Sequence, residues 1–278
     1  MRVLAGIVLY NPDIQRLKEN YIAISEQVDS VVLVNNGSNN WESIQEELSH
    51  WNVAIINNKE NRGIATALHQ IMEYGIDNGA DWVVTLDQDS VCRAGLVDAY
   101  KEWAHLDRVG ILTCVIEDRN FSIGSGFGED EKWKEINQCI TSASFISTEA
   151  YKNTDGFDEK MFIDSVDFDI CLNMRRHGYK VYRINHVGLL HEVGCGKNVK
   201  LFQKDYIIYN HSPLRNYYMA RNQAYLVNKY PEYFSKSKEA IREIRSEVLI
   251  LLYEEAKVKK IRARWKGLKD AHKMMHSK

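Results

Sequence analysis

Hydrophobic and polar positions over the first ninety residues alternate between two periods. Short apolar, β-branched runs stand at Val3–Leu9, Val31–Val34 and Val53–Ile56, and amphipathic stretches lie between them at Ile14–Ser25 and Trp41–Leu48. A helix from about Ile64 to Tyr74 follows, then a wholly apolar strand, Trp82–Leu86, that stops abruptly at Asp87-Gln88-Asp89. This is the βαβ rhythm of a parallel sheet covered by helices. Such sheets bind ligands beyond the carboxyl ends of their strands, so the pattern predicts that Tyr10, Asn35, Asn57 and Asp87 line one edge.

The second half is less regular. Ile111–Val115, Phe121–Ile123 and Ser142–Ile146 read as strands, which makes the sheet mixed. Gly124, Gly126 and Gly128 are spaced like a phosphate loop, but no helical pattern follows them, and a plain connection is the better reading. From Ser165 to His177, Phe168, Cys171, Leu172 and Met174 recur at helical spacing, with Gly178 as the stop.

After Pro231 the composition shifts, and Lys236–Lys278 carries thirteen Lys or Arg against six Asp or Glu. The chain therefore divides into a main domain over 1–230 and a basic helical extension over 231–278. Ile241, Ile244, Val248, Leu251, Leu252 and Ala256 share one helical face. Two readings stand: the face packs on the domain with its basic side in solvent, or the tail attaches to anionic lipid headgroups through Trp265 and the Lys257–Lys269 cluster.

Composition adds boundaries. With 278 residues, 45% of them hydrophobic and 27% charged, the chain can bury one large core, or one core and a small appendage. A net charge of -2 gives no general attraction to nucleic acid. No run reaches the length of a membrane-spanning helix, and Val3–Tyr10 ends in Asn11-Pro12-Asp13 as a buried strand rather than a signal peptide would. Cys92, Cys114, Cys139, Cys171 and Cys195 are odd in number, widely spaced and without a C-x-x-C, a usage that suits a reducing cytoplasm.

Two carboxylates flanking one residue at a strand end, as in Asp87-Gln88-Asp89, suit a hard divalent cation held against diphosphate oxygens, although solvated turn residues give the same pattern. Asp164, Asp167 and Asp169 cluster at another helix start, and His191 follows a strand-like Val187–Leu190. Separate carboxylate groups allow separate tasks, one holding metal and one serving as general base.

Taken in order, these segments resemble the family-2 glycosyltransferases of the GT-A fold, an α/β mixed sheet flanked by helices, and within them the bacterial rhamnosyltransferase branch. The resemblance covers residues 3–225. Val8-Leu9-Tyr10-Asn11 looks like the family's first nucleotide-contacting turn, and Val34-Asn35-Asn36-Gly37-Ser38 is similar to its V-D-N-G-S segment, with Asn35 where an acid commonly contacts the base. Asn61-Arg62-Gly63-Ile64-Ala65-Thr66-Ala67 resembles N-x-G-x-A-x-A, with His69 and Gln70 replacing the usual asparagine and glycine nearby. Thr85-Leu86-Asp87-Gln88-Asp89-Ser90 is very like the rhamnosyltransferase metal motif.

The resemblance implies Asp89 and His191 as ligands of Mg2+ or Mn2+, and Tyr10, Asn11, Asn35, Asn36, Asn61, Gly63, Ala65 and Asp87 on the nucleotide-sugar donor. The segment Asp155–Asp169 resembles the family's acceptor and base segment, with Val166-Asp167 in place of Glu-Asp, which implies Asp167 as base and Asp164 toward the acceptor. Arg215–Asn222 looks like the Y-Y-x-x-R-N helix, with Arg215 or Arg221 to neutralise the diphosphate and its tyrosines equally suited to packing. The implied reaction is an inverting single displacement. It would pass L-rhamnose from dTDP-L-rhamnose, or a sugar from a UDP-hexose or UDP-galactofuranose, to a glycan or lipid-linked glycan at the inner face of the plasma membrane.

Three other classes compete. A nucleotidyltransferase wants a glycine-rich, lysine-bearing loop after the first strand, and a dinucleotide oxidoreductase wants G-x-G-x-x-G there; Asn11-Pro12-Asp13 supplies neither. An inactive nucleotide-sugar-binding or scaffold protein would keep the fold and lose Asp89 or Asp167, and both are present.

Overall fold

The computed structural model describes residues 1–118, 126–191 and 196–276. The expected strand at Phe121–Ile123, together with Gly124 and Cys195, lies outside the described residues. The chain forms two compact units, Met1–Glu159 with Val166–Glu192, and Lys160–Ser165 with Val193–Lys278.

In the first unit the parallel half forms as the periodicity predicts: β1 (Val3–Leu9), α1 (Ile14–Ser25), β2 (Ser30–Asn36), α2 (Trp41–Leu48), β3 (Ala54–Asn58), α3 (Ile64–Asp77) and β4 (Trp82–Asp87). Every residue of β1 is buried, because helices cover both faces of this part of the sheet. Asp13 caps α1 by accepting from the Arg16 amide at 2.9 Å.

The mixed half follows with β5 (Val91–Cys92), α4 (Leu96–Trp103), β6 (Val109–Asp118), β7 (Trp133–Ile136), β8 (Ser144–Ser147), α5 (Thr148–Lys152), α6 (Val166–Arg176) and β9 (Lys180–His191). The nine strands lie in the order β3-β2-β1-β4-β8-β6-β9-β5, with β7 also on β9. β8 is antiparallel to both β4 and β6, and it marks where the sheet ceases to be uniformly parallel. Phe145 at that junction stacks on Trp82 at 4.6 Å and on Tyr100 at 5.1 Å, and the Tyr100 hydroxyl donates to the Ala143 carbonyl at 2.5 Å.

The second unit holds the hairpin β10 (Lys197–Leu201) and β11 (Lys204–Ile208) and the helices α7 (Pro213–Lys229), α8 (Lys236–Tyr253) and α9 (Lys257–His276). α9 lies against α7 so closely that a Cβ on Gly267 would stand 2.4 Å from the Tyr217 carbonyl oxygen. Lys260 and Arg264 are buried there in ion pairs with Glu254 and Glu243. On the apolar face of α8, Ile241, Ile244, Leu251 and Leu252 are exposed, and the buried residue of this helix is Ile250.

Candidate active site

Register fixes which residues meet at the carboxyl edge. Leu9 pairs with Asn35, Asn35 with Asn57, Asn36 with Asn58, and Val8 with Asp87. The edge expected from the strand pattern is therefore present.

Its asparagines divide into two kinds. Asn35 and Asn36 are 2% and 3% exposed, and their amides are used within the fold. Asn35 donates to Asn57 Oδ1 at 2.7 Å and accepts from the Ser38 amide at 3.0 Å. Asn36 donates to Asn61 Oδ1 and to the Gly63 carbonyl, both at 3.1 Å, and accepts from the Arg62 amide at 3.0 Å. These two residues build the edge, whereas Tyr10, Asn11 and Asn61 are exposed on it. Asn11, at φ 49, bridges two turns: its amide donates to Ser38 Oγ, and its Oδ1 accepts from the Asn39 amide at 2.7 Å. Gly37 is required at φ 77, since a Cβ there would lie 2.5 Å from the Glu60 carbonyl carbon.

Gly63, at φ 86, precedes the first turn of α3, and Ala65 is buried in that turn. Ile64, Ala65 and Thr66 thus begin a helix whose amides favour an anion. The replacements His69 and Gln70 hold neighbouring segments: His69 Nδ1 is 2.9 Å from the Tyr151 hydroxyl, and Gln70 exchanges two hydrogen bonds with Asn58.

The aspartate turn is braced from three sides. Asn20, fully buried on α1, donates to the Asp87 carbonyl at 2.7 Å. Ser142 Oγ accepts from the Asp87 amide at 3.3 Å and donates to Ser90 Oγ at 2.8 Å. Gln88 accepts from the Tyr10 amide at 2.8 Å and donates back to the Tyr10 carbonyl, which ties the turn after β1 to the aspartate turn. The motif contains Gln88 without indicating its partner, and Asn20 on an amphipathic helix and Ser142 at a strand start carry no signal of a distant contact.

Asp87 and Asp89 remain half-buried. β5, two residues beyond Asp89, pairs Val91 with Leu190, the neighbour of His191, and on β6 Asp118 is opposite His191. The two aspartate carboxylates of this turn, half-buried at one end of the sheet, are oxygen donors of the kind that suits Mg2+ or Mn2+. Among the described residues no three His, Cys, Asp or Glu side chains are gathered at ligating distance.

Asp167 stands half-buried in the first turn of α6, where the helix N-terminus favours an anion, and its Oδ1 accepts from the Phe168 amide at 3.0 Å. α6 is held to the Asp155-Gly156-Phe157 turn by fully buried Asn173, which donates to the Gly156 carbonyl at 2.8 Å. One turn after Asp167, Cys171 Sγ lies 3.7 Å from Cys139 Sγ, and this hydrogen bond together with burial pushes the Cys171 thiol up.

In the second unit the segment Lys160–Ser165 is strained, with Phe162, Asp164 and Ser165 at φ 62, 66 and 64. Each such non-glycine residue costs on the order of 1 kcal/mol. Asn222, fully buried, offsets this by placing its amide nitrogen 2.7–2.8 Å from the carbonyls of Met161, Ile163 and Asp164. Arg221 donates to the Lys160 and Met161 carbonyls and lies over the Tyr218 ring at 4.6 Å. Arg215 Nε donates to Asp164 Oδ1 at 3.1 Å. Both arginines expected on the diphosphate thus have partners in this loop. Burial pushes the Asp164 carboxyl up, and Arg215 beside it pulls it partly back.

Residues 5–159 match the family described as Glycosyl transferase family 2. The chain belongs to this family. It is also 28% identical over 248 residues to the dTDP-rhamnosyl transferase RfbF of Shigella flexneri, an alignment covering 82% of this chain and 80% of that protein. Among solved structures, GalNAc-T7 with UDP, GalNAc and Mn2+ superposes with a TM-score of 0.66 at 13% identity, covering 99% of this chain and 56% of that one. Staphylococcus aureus TarS residues 1–349 in complex with UDP-GlcNAc gives 0.59 at 14% identity, covering 95% and 79%. Another TarS structure gives 0.59 at 14% identity, with this chain covering 40% of its length. These likenesses establish the shared fold. In this family-2 glycosyltransferase the matched span carries the carboxyl edge of the parallel strands and the Asp87-Gln88-Asp89 turn, while Asp164, Asp167, His191, Arg215 and Arg221 lie beyond it.

Proposed function

We propose that the protein is an inverting, metal-dependent rhamnosyltransferase that passes L-rhamnose from dTDP-L-rhamnose to a hydroxyl of a cell-surface polysaccharide or of its lipid-linked precursor, on the cytoplasmic side of the plasma membrane. The observation that carries the reading is the braced aspartate turn at the carboxyl edge of the parallel sheet, joined through Gln88 to Tyr10. The rhamnosyltransferase named above, similar over most of this chain, supports the choice of sugar.

Asp89 and His191 would hold Mg2+ or Mn2+, which when bound supplies positive charge against the departing diphosphate, and Asp87 would meet the donor. Tyr10, Asn11 and Asn61 present polar groups to the nucleotide, and the amides opening α3 add further donors. Asp167 accepts the proton of the acceptor hydroxyl as its oxygen attacks the anomeric carbon, so configuration inverts. Asp164 orients the acceptor. Arg215 and Arg221 hold the loop that carries Asp164.

The first test is thermal-shift stabilisation and donor hydrolysis with dTDP- and UDP-sugars, with and without Mn2+, on wild type and Asp89→Ala. Metal-dependent stabilisation by dTDP-L-rhamnose that Asp89→Ala abolishes is expected. Selective stabilisation by a UDP-hexose or UDP-galactofuranose would replace the donor, and no response to any nucleotide sugar would leave a binding or scaffold protein. Asp167→Asn is expected to lower kcat by about 10²–10⁴-fold with donor affinity nearly unchanged, because its interaction develops in the transition state.

A further inference from the structure

Helix α8 turns its apolar stripe outward: Ile241 is 65% exposed, Ile244 61%, Leu251 51% and Leu252 54%. Helical spacing sets these residues on one face, with half-buried Val248 between them. A stripe of this size left in water is unusual for a surface that has no partner. It is extended by Trp265 of α9, whose indole Nε1 donates to Glu247 of α8 at 2.7 Å while its ring stays 61% exposed.

One border of the stripe on α8 is cationic, and the other carries Glu247 beneath its bond from Trp265. Lys238 and Arg245 flank it on α8, and Arg262 and Lys269 are exposed on the same side of α9 as Trp265. Val193–Lys278 holds nineteen Lys or Arg against eight Asp or Glu, although the whole chain carries only -2. Among the described residues no helix is long and apolar enough to cross a membrane.

We propose that the outward face of α8, with Trp265, is a docking surface for an anionic lipid bilayer, lying in the headgroup region with Ile241, Ile244, Leu251 and Leu252 inserted. An apolar stripe bordered by lysine and arginine matches such an interface in both polarity and charge. A second copy of this chain fits less well, since an antiparallel two-fold contact of α8 on α8 would bring the Lys238 and Arg245 borders together and leave the cations of α9 unmatched. The inference is independent of the donor chemistry proposed above.

The test is flotation of the full-length protein with phosphatidylcholine vesicles, with and without about one third phosphatidylglycerol. The variant replaces Ile241, Ile244, Leu251 and Leu252 by serine; the control is Ile22→Ser, an equally exposed isoleucine on α1. Wild type and the control are expected to float with the anionic vesicles alone, and the quadruple variant to partition at least about tenfold less, with its circular dichroism unchanged. Equal binding by the quadruple variant, or no binding by wild type, would overturn the proposal. So would self-association of vesicle-free wild type in sedimentation velocity that the variant abolishes, which would assign the face to a second copy. Retained flotation without any donor-induced thermal shift would count against the enzymatic reading alone.

Discussion

Asn222 holds the strained loop from a single amide, and replacing it removes the donor from three carbonyls at once. Asn222→Ala is expected to cost about 1–3 kcal/mol, read as a lower denaturant midpoint. Asp164 gives a prediction with a definite sign. Its carboxyl binds a proton more tightly in the fold than in the unfolded chain, so ionisation there costs stability. That cost is absent below about pH 4 and grows as pH rises toward the raised value. Asp164→Asn, which does not titrate, should match wild type near pH 3.5 to about 4 and exceed its thermal midpoint at neutral pH, while transferring sugar more slowly. A variant less stable at neutral pH would reverse this account. At this scale the sequence exposed the identities of Asp87, Asp89, Asp164 and Asp167 but not their supports, because the partners Asn20, Asn222 and Arg215 lie 67, 58 and 51 residues away along the chain.

Among the elements, β1 to β4 and their helices were legible because both faces of their strands are buried, and apolar runs record that directly. β5 has two residues, and β7, with the burial pattern of an edge, has no apolar run, so neither announces itself. β9 shows an apolar end at Val187–Leu190, while its start mixes Lys180 and Arg183 with buried Val181 and Ile184 and its register with β6 shifts three times. The turn after β2 depends on a left-handed glycine pressed against backbone. Gly37→Ala is expected to destabilise by about 1–3 kcal/mol and to weaken nucleotide binding, checked by thermal denaturation and by calorimetric titration of dTDP. For α8, periodicity correctly gave one apolar face; it held no information on what covers that face.

On the scale of the whole molecule, the chain forms two compact units, so calorimetric unfolding should resolve two transitions rather than one. Gly267→Val, which drives a side chain into the Tyr217 carbonyl, should lower the transition of the helical unit, and dTDP with Mn2+ should raise the other. A single transition moved by both would refute the division. The sequence alone determined the parallel α/β half, the polar edge at its strand ends, the order of the acidic motifs and the basic tail, because period and local composition are properties of neighbouring residues. The tertiary structure decided that Asn35 and Asn36 build the edge, that Gln88 joins two turns, that Arg215 and Arg221 serve the Asp164 loop, and that α8 faces outward. Each of these depends on contacts between segments far apart in the chain, and such contacts leave no period to read.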